Sequence, residues 1–149
     1  MSARRSVDRS AMVPYSAAQM YALVQDVASY PEFLPWCTRA EVHLQTDSEM
    51  QASIGLGLGA LNSVFTTRNQ LDPPERMTLE LMDGPFRTLN GHWAFTALGD
   101  EGCEVALRVD FEFESTVHNV LFGAAFEKVC HDLIDAFVGR ARDLYGGGV

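Results

Sequence analysis

Few residues of this chain are spaced to make or break bonds. A metal site needs His, Cys or carboxylate ligands held close together on one face. His118 and His131 stand thirteen positions apart in a helical stretch, which turns them to opposing faces. His43 and His92 fall on separate strand-like runs, and the sequence contains neither HExxH nor CxxC. No metal is expected. Nucleophilic chemistry is equally thin: there is no GxSxG elbow, and Cys37 has no histidine close in sequence to activate it. Cys130 and His131 are neighbours, but adjacent helical residues point about 100° apart, so Cys130 reads as a core cysteine. Gly55-Leu56-Gly57-Leu58-Gly59-Ala60 matches the loose dinucleotide fingerprint. That fingerprint needs a strand before it and a helix after it. Here strand alternation runs up to it and continues beyond it, so the glycines read as strand positions allowing close approach or bending. Glu104, Asp110, Glu112 and Glu114 alternate with apolar residues and form a solvated strand face. Glu32 reads as a surface loop acid. With no convergent acid–base pair, neither an enzyme nor a catalytic cofactor is expected.

Charge narrows the partners. Eleven basic residues against twenty acidic ones give a net −9, which opposes a broad nucleic-acid face and excludes DNA as a partner. The same balance gives no general attraction to anionic headgroups. Arg4, Arg5 and Arg9 are a local exception. They read as the exposed polar face of an edge strand, with ribosomal RNA phosphates or anionic lipid as the alternative contacts. No apolar run approaches the ~20 residues of a membrane span. The first ten residues lack the apolar middle of a secretory signal, and the three cysteines form no CxxC. A cytoplasmic protein is therefore expected.

The elements that must position these residues follow from periodicity. Apolar residues make up 47% and charged residues 21%, a balance that argues for a folded chain, and residues 1–149 are expected to form a single domain. Residues 2 to 13 read as a first strand ended by Pro14. Ser16 and Gln19 have capping-box spacing ahead of Met20, Leu23, Val24 and Val27, which recur at helical intervals. Pro31 and Pro35 then break the chain into an irregular segment, Tyr30 to Cys37. From there to about residue 114 the period is two. Strands are read around 50–58, 61–71, 77–81, 89–97 and 103–113, with turns at Gly59, at Asp72-Pro73-Pro74-Glu75 and at Asp83-Gly84-Pro85. Residues 117 to 145 return to a helical period, about 43 Å long at 1.5 Å per residue. Phe122, Phe126, Val129, Leu133, Ala136 and Phe137 trace its apolar stripe, and Gly146 to Gly148 end it.

Six or seven antiparallel strands on short connections make a twisted, curved sheet, and one long helix must cover its concave face. A single helix about 10 Å across does not fill a deep curve. The remaining space holds packed side chains or a cavity, and the aromatic supply is sufficient to line one.

This order resembles the START-like, helix-grip superfamily, and within it the coenzyme-Q-binding and RatA-type (ribosome association toxin) family. Two phrases carry the resemblance: Tyr30-Pro31-Glu32-Phe33-Leu34-Pro35-Trp36-Cys37, and Asp83-Gly84-Pro85-Phe86 followed by Leu89-Asn90-Gly91-His92-Trp93. It implies an α+β fold: a curved antiparallel sheet of six to seven strands wrapped on a long C-terminal helix, with two short helices after the first strand. It also implies a polyprenyl quinone, ubiquinone, bound in a hydrophobic tunnel between sheet and helix by a carrier that supports respiration. Transient contact with the inner face of the membrane would accompany that role. The alternative it implies is a factor that binds the large ribosomal subunit and blocks subunit association. Other helix-grip families cyclise polyketides. Candidate cavity residues are Phe33, Leu34 and Trp36 from the proline-rich segment, with Trp36 as a gate. Phe65, Phe86, Trp93 and Phe95 join them from the strands, and Phe122, Phe126, Val129 and Leu133 from the helix. Asn62, Thr67, Asn90 and His92 are the polar candidates for reading a ring.

Overall fold

A computed structural model describes residues 4–100 and 102–146. The chain runs β1 (Arg5–Val13), α1 (Ala17–Gln25), a 3-10 helix (Val27–Glu32), β2 (Cys37–Gln45), β3 (Glu49–Leu58), β4 (Leu61–Asp72), β5 (Arg76–Asp83), β6 (Phe86–Leu98), β7 (Gly102–Phe113) and α2 (Thr116–Tyr145). All seven strands form one antiparallel sheet in the order β1-β7-β6-β5-β4-β3-β2. Strands β2 to β7 are a meander, and β1 closes the far edge against β7.

Local chemistry sets the boundaries. The Ser16 hydroxyl accepts from the Gln19 backbone N–H, and the Gln19 side chain accepts from the Ser16 backbone N–H, so the capping box is complete. The α-helix stops at Gln25, short of Val27. The chain tightens there into the 3-10 turn, which contains Pro31 and leads on to the irregular segment. The turn between β5 and β6 depends on Gly84: its φ is +146°, and a Cβ there would meet Phe65 Cβ at 2.6 Å. Gly55 and Gly57 explain the glycine-rich run. Side chains at those positions would collide with Thr38 of β2, so the glycines let one edge strand lie close upon its neighbour.

Two expectations need correction. Strand β2 was not distinguished by its pattern. It is an edge strand with register shifts at Cys37/Arg39 and Val42/Leu44, which interrupt the alternation and leave Leu44 exposed. Residues 2 and 3 of the expected first strand, and Gly147 and Gly148 of the expected helix end, lie outside the described residues. Finally, Arg5 and Arg9 do not sit on an exposed polar face. Alternation along β1 turns them toward α2, where Arg5 pairs with Glu127 at 3.2 Å. Arg9 donates to the His131 carbonyl at 2.6 Å and reaches Asp135 at 3.2 Å.

The apolar face of the sheet and the stripe Phe126, Cys130, Ile134, Phe137 and Ala141 of α2 enclose one core. Among the described residues, and apart from tyrosines and cysteines, only Thr67 and Asn69 are buried polar side chains.

Candidate functional site

Aromatic side chains gather at two places along α2. Toward its N-terminal end, Phe86 stacks on Phe113 at 4.7 Å and meets Phe126 at 5.1 Å, while Phe111 meets Phe126 at 4.7 Å. Further along, Phe137 is met edge-on by Phe33, Tyr30 and Trp93 at 5.2 to 5.4 Å. Phe126 and Phe137 are eleven residues apart, about 16 Å of helix. Between the two clusters the helix and sheet do not meet fully. They leave a cavity of about 90 Å³.

Of the sequence-derived candidates, Trp36, Phe65, Trp93, Phe126, Val129 and Leu133 line this cavity. The other five surround it at one remove. Phe86 belongs to the first cluster, and Phe95 lies behind Trp93 against Tyr21. Leu34 is buried under the proline-rich segment. Phe33 packs on Phe137 beneath Arg140, whose guanidinium carbon lies 5.0 Å from the ring centre. Phe122 is half-buried beside His118. Sequence reasoning passed over Tyr30, Ile54, Leu79, Leu89, Leu107, Val109, Cys130 and Phe137 as wall residues. Leu89 shares its face of β6 with Trp93 and Phe95, and Cys130 and Phe137 share α2 with the chosen helix residues, which was the available signal; Ile54, Leu79, Leu107 and Val109 lie on strands from which no residue was chosen.

The wall carries no ionised group. Among the described residues that line the cavity there is no carboxylate, imidazole, amine or guanidinium. Tyr30 is fully enclosed and donates its hydroxyl to the Val24 carbonyl; burial pushes the phenol well above its ordinary range. Burial, reinforced by the neighbouring charge of Glu127, pushes the Cys130 thiol up to about 12. Thr67 is the one candidate ring reader on the wall, and its hydroxyl donates to Asn69 Oδ1 at 2.7 Å. Asn90 and His92 lie on the opposite face of the sheet, and Asn62 is exposed near the β3–β4 turn.

Half-buried wall residues mark the entrance: Trp36 after the 3-10 helix, Leu79 of β5, and Val129 and Leu133 on one flank of α2. Glu32 pairs with Arg140 at 3.2 Å, tying the proline-rich segment to α2 beside this opening. On the outer side of α2, Val117, Val120 and Leu121 are exposed. No helix among the described residues is long and apolar enough to cross a membrane.

A sheet gripping one long helix around a neutral apolar void defines a class, and comparison places the chain in it. The chain belongs to the family described as polyketide cyclase / dehydrase and lipid transport, whose model matches residues 13–138. Among its relatives, the ribosome association toxin RatA of Vibrio cholerae is 44% identical over 142 residues, covering 95% of this chain and 99% of that one. The mitochondrial coenzyme Q-binding protein of Drosophila melanogaster is 32% identical over 139 residues, covering 91% of this chain and 57% of that one. The crystal structure of an aromatase/cyclase from a Streptomyces species superposes with a TM-score of 0.83 at 18% identity, covering 98% and 99% of the two chains. The last comparison concerns the fold alone.

Proposed function

We propose that the protein binds a hydrophobic ligand of the prenyl-quinone class between its sheet and α2, and carries it without chemical turnover. The observation that carries this reading is the cavity wall: apolar but for the Thr67 and Tyr30 hydroxyls and the Cys130 thiol, with no group able to act as acid or base near neutral pH. The similarity to a coenzyme Q-binding protein supports the ligand class. Size sets a condition. About 90 Å³ is well below the 300–1,000 Å³ typical of ligand sites, so the ring enters only as the entrance side chains swing outward. The prenyl tail then leaves past Trp36, Val129 and Leu133. Because such a ligand partitions into bilayers, loading entails transient contact with the inner face of the membrane. Organic extraction of the purified protein followed by mass spectrometry tests the reading. A stoichiometric quinone supports it. An empty protein that also fails to bind added short-chain ubiquinone removes it.

A second reading rests on the 44% identity to RatA across almost the whole chain. On that reading the protein associates with the large ribosomal subunit and lowers the fraction of joined ribosomes. Sucrose-gradient profiles with and without added protein test it directly. A profile unchanged at stoichiometric excess counts against it.

A further inference from the structure

We infer that the Thr67 hydroxyl is the polar contact for the ligand's oxygenated end, and that Asn69 positions it to meet either a carbonyl or a hydroxyl. The inference rests on the hydrophobic-ligand reading above and adds where the head lies and what kind of head it is. Both side chains are 2% exposed on the inward face of β4, between Phe65 and Leu71 on the same face. A buried hydroxyl and a buried amide cost about 1–3 kcal/mol each where unsatisfied, and two apolar residues would fill the same positions without that cost. Their neighbours on this face show that the core itself asks only for hydrocarbon. Thr67 faces the void, whereas the Tyr30 hydroxyl, the other one on the wall, is committed to the Val24 carbonyl.

The pair is reversible. A hydroxyl offers one proton and two lone pairs, and an amide offers acceptor and donor ends of the same shape. In one orientation of the amide, Thr67 donates to Asn69 Oδ1, which leaves its lone pairs for an O–H on the ligand. With the amide turned over, Asn69 Nδ2 donates to Thr67, and the threonine proton is free for a ligand carbonyl. One site therefore takes a quinone or its quinol. It does not take a carboxylate or phosphate head, because no cation lines the wall among the described residues and an unpaired buried anion is costly.

The test is calorimetric titration with decylubiquinone, its quinol and decylbenzene, an analogue of the tail and ring without oxygen. Wild type is compared with the double variant Thr67→Val/Asn69→Leu. Replacing both partners by apolar groups of similar shape keeps the fold, which circular dichroism checks. The expected result is a loss of about three- to tenfold in affinity for quinone and quinol alike, with decylbenzene unchanged. Should the double variant hold the quinone as tightly as wild type, relative to decylbenzene, the assignment is overturned. A wild-type preference of more than about tenfold for one redox form overturns the turning amide. A wild type that takes decylbenzene but not the quinone also sinks this inference, yet leaves an apolar site. Binding of none of the three removes the hydrophobic-ligand reading itself.

Discussion

Phe137 sits where three parts of the molecule meet: the 3-10 helix through Tyr30, the proline-rich segment through Phe33, and β6 through Trp93. It is 1% exposed and also forms cavity wall. Phe137→Ala would enlarge an existing void that cannot collapse, so urea unfolding should show a loss of about 3–5 kcal/mol. A loss under 1 kcal/mol would mean the clusters close up around the gap. The three cysteines make a second prediction. Cys37, Cys103 and Cys130 are all buried, and burial raises each thiol, Cys130 to about 12. Native protein at pH 8 should react with a thiol reagent far more slowly than unfolded protein. Rapid labelling of one equivalent in the native state would contradict that enclosure. At this scale the sequence was legible by face and no further. Alternation places Leu89, Trp93 and Phe95 on one side of β6, but Phe86 joins them only through the register shift between Phe86 and Thr88, and whether a ring meets a void or another ring depends on α2, about forty residues later.

Among the elements, α1 depends most on local chemistry. At nine residues it is too short to be stable alone, so its cap matters. Ser16→Ala removes the bond to the Gln19 N–H and should cost about 1 kcal/mol in chemical denaturation, whereas Ser16→Asp should recover most of it. The β1–β7 pair carries a pH signature. The Ser6 hydroxyl, and then Arg108, hold the Asp110 carboxyl below its usual range. A carboxylate lowered in the folded state stabilises above about pH 4, and that contribution fades as pH falls through the folded value. Asp110→Asn should therefore be less stable than wild type at pH 7, with the gap narrowing toward pH 3. A gap of constant size would place its origin elsewhere. The capping box was readable from two residues three apart. Strand β2 was not, because a bulged edge strand has little one-sided burial to impose a pattern, and the inward turn of Arg5 and Arg9 requires knowing that α2 supplies Glu127 and Asp135.

For the whole molecule, the order of strand, short helices, strands and long helix was sufficient to anticipate a sheet closed on a helix. The size of the void was not, since it depends on how closely α2 lies on the sheet. Ligand linkage addresses that dimension. A ligand that binds only the folded state adds about 2.7 kcal/mol at one hundred times its Kd. For a chain of 149 residues this corresponds to a rise in Tm of about 5–11 °C with short-chain ubiquinone. A flat melting point across that range would argue that the cavity stays closed. The exposed ion pairs are a minor influence. Lys128–Asp132 and Arg76–Asp72 are exposed surface pairs whose attraction water already screens, so high salt should hardly alter the melt.

The position of β1 in the sheet bears on how the chain is made. Arg5 pairs with Phe111 and Val13 with Cys103, so the first strand to leave the ribosome waits for a partner about a hundred residues behind it. At synthesis rates of about 5–20 residues per second, that wait lasts about 5–20 s. Throughout it the meander has an open edge at β6 and then β7, and the apolar face has no lid until α2 emerges. Such high contact order makes closure slow. Nascent chains halted before β7 should therefore remain sensitive to protease along their whole length, and resistance should appear only once α2 has cleared the exit tunnel.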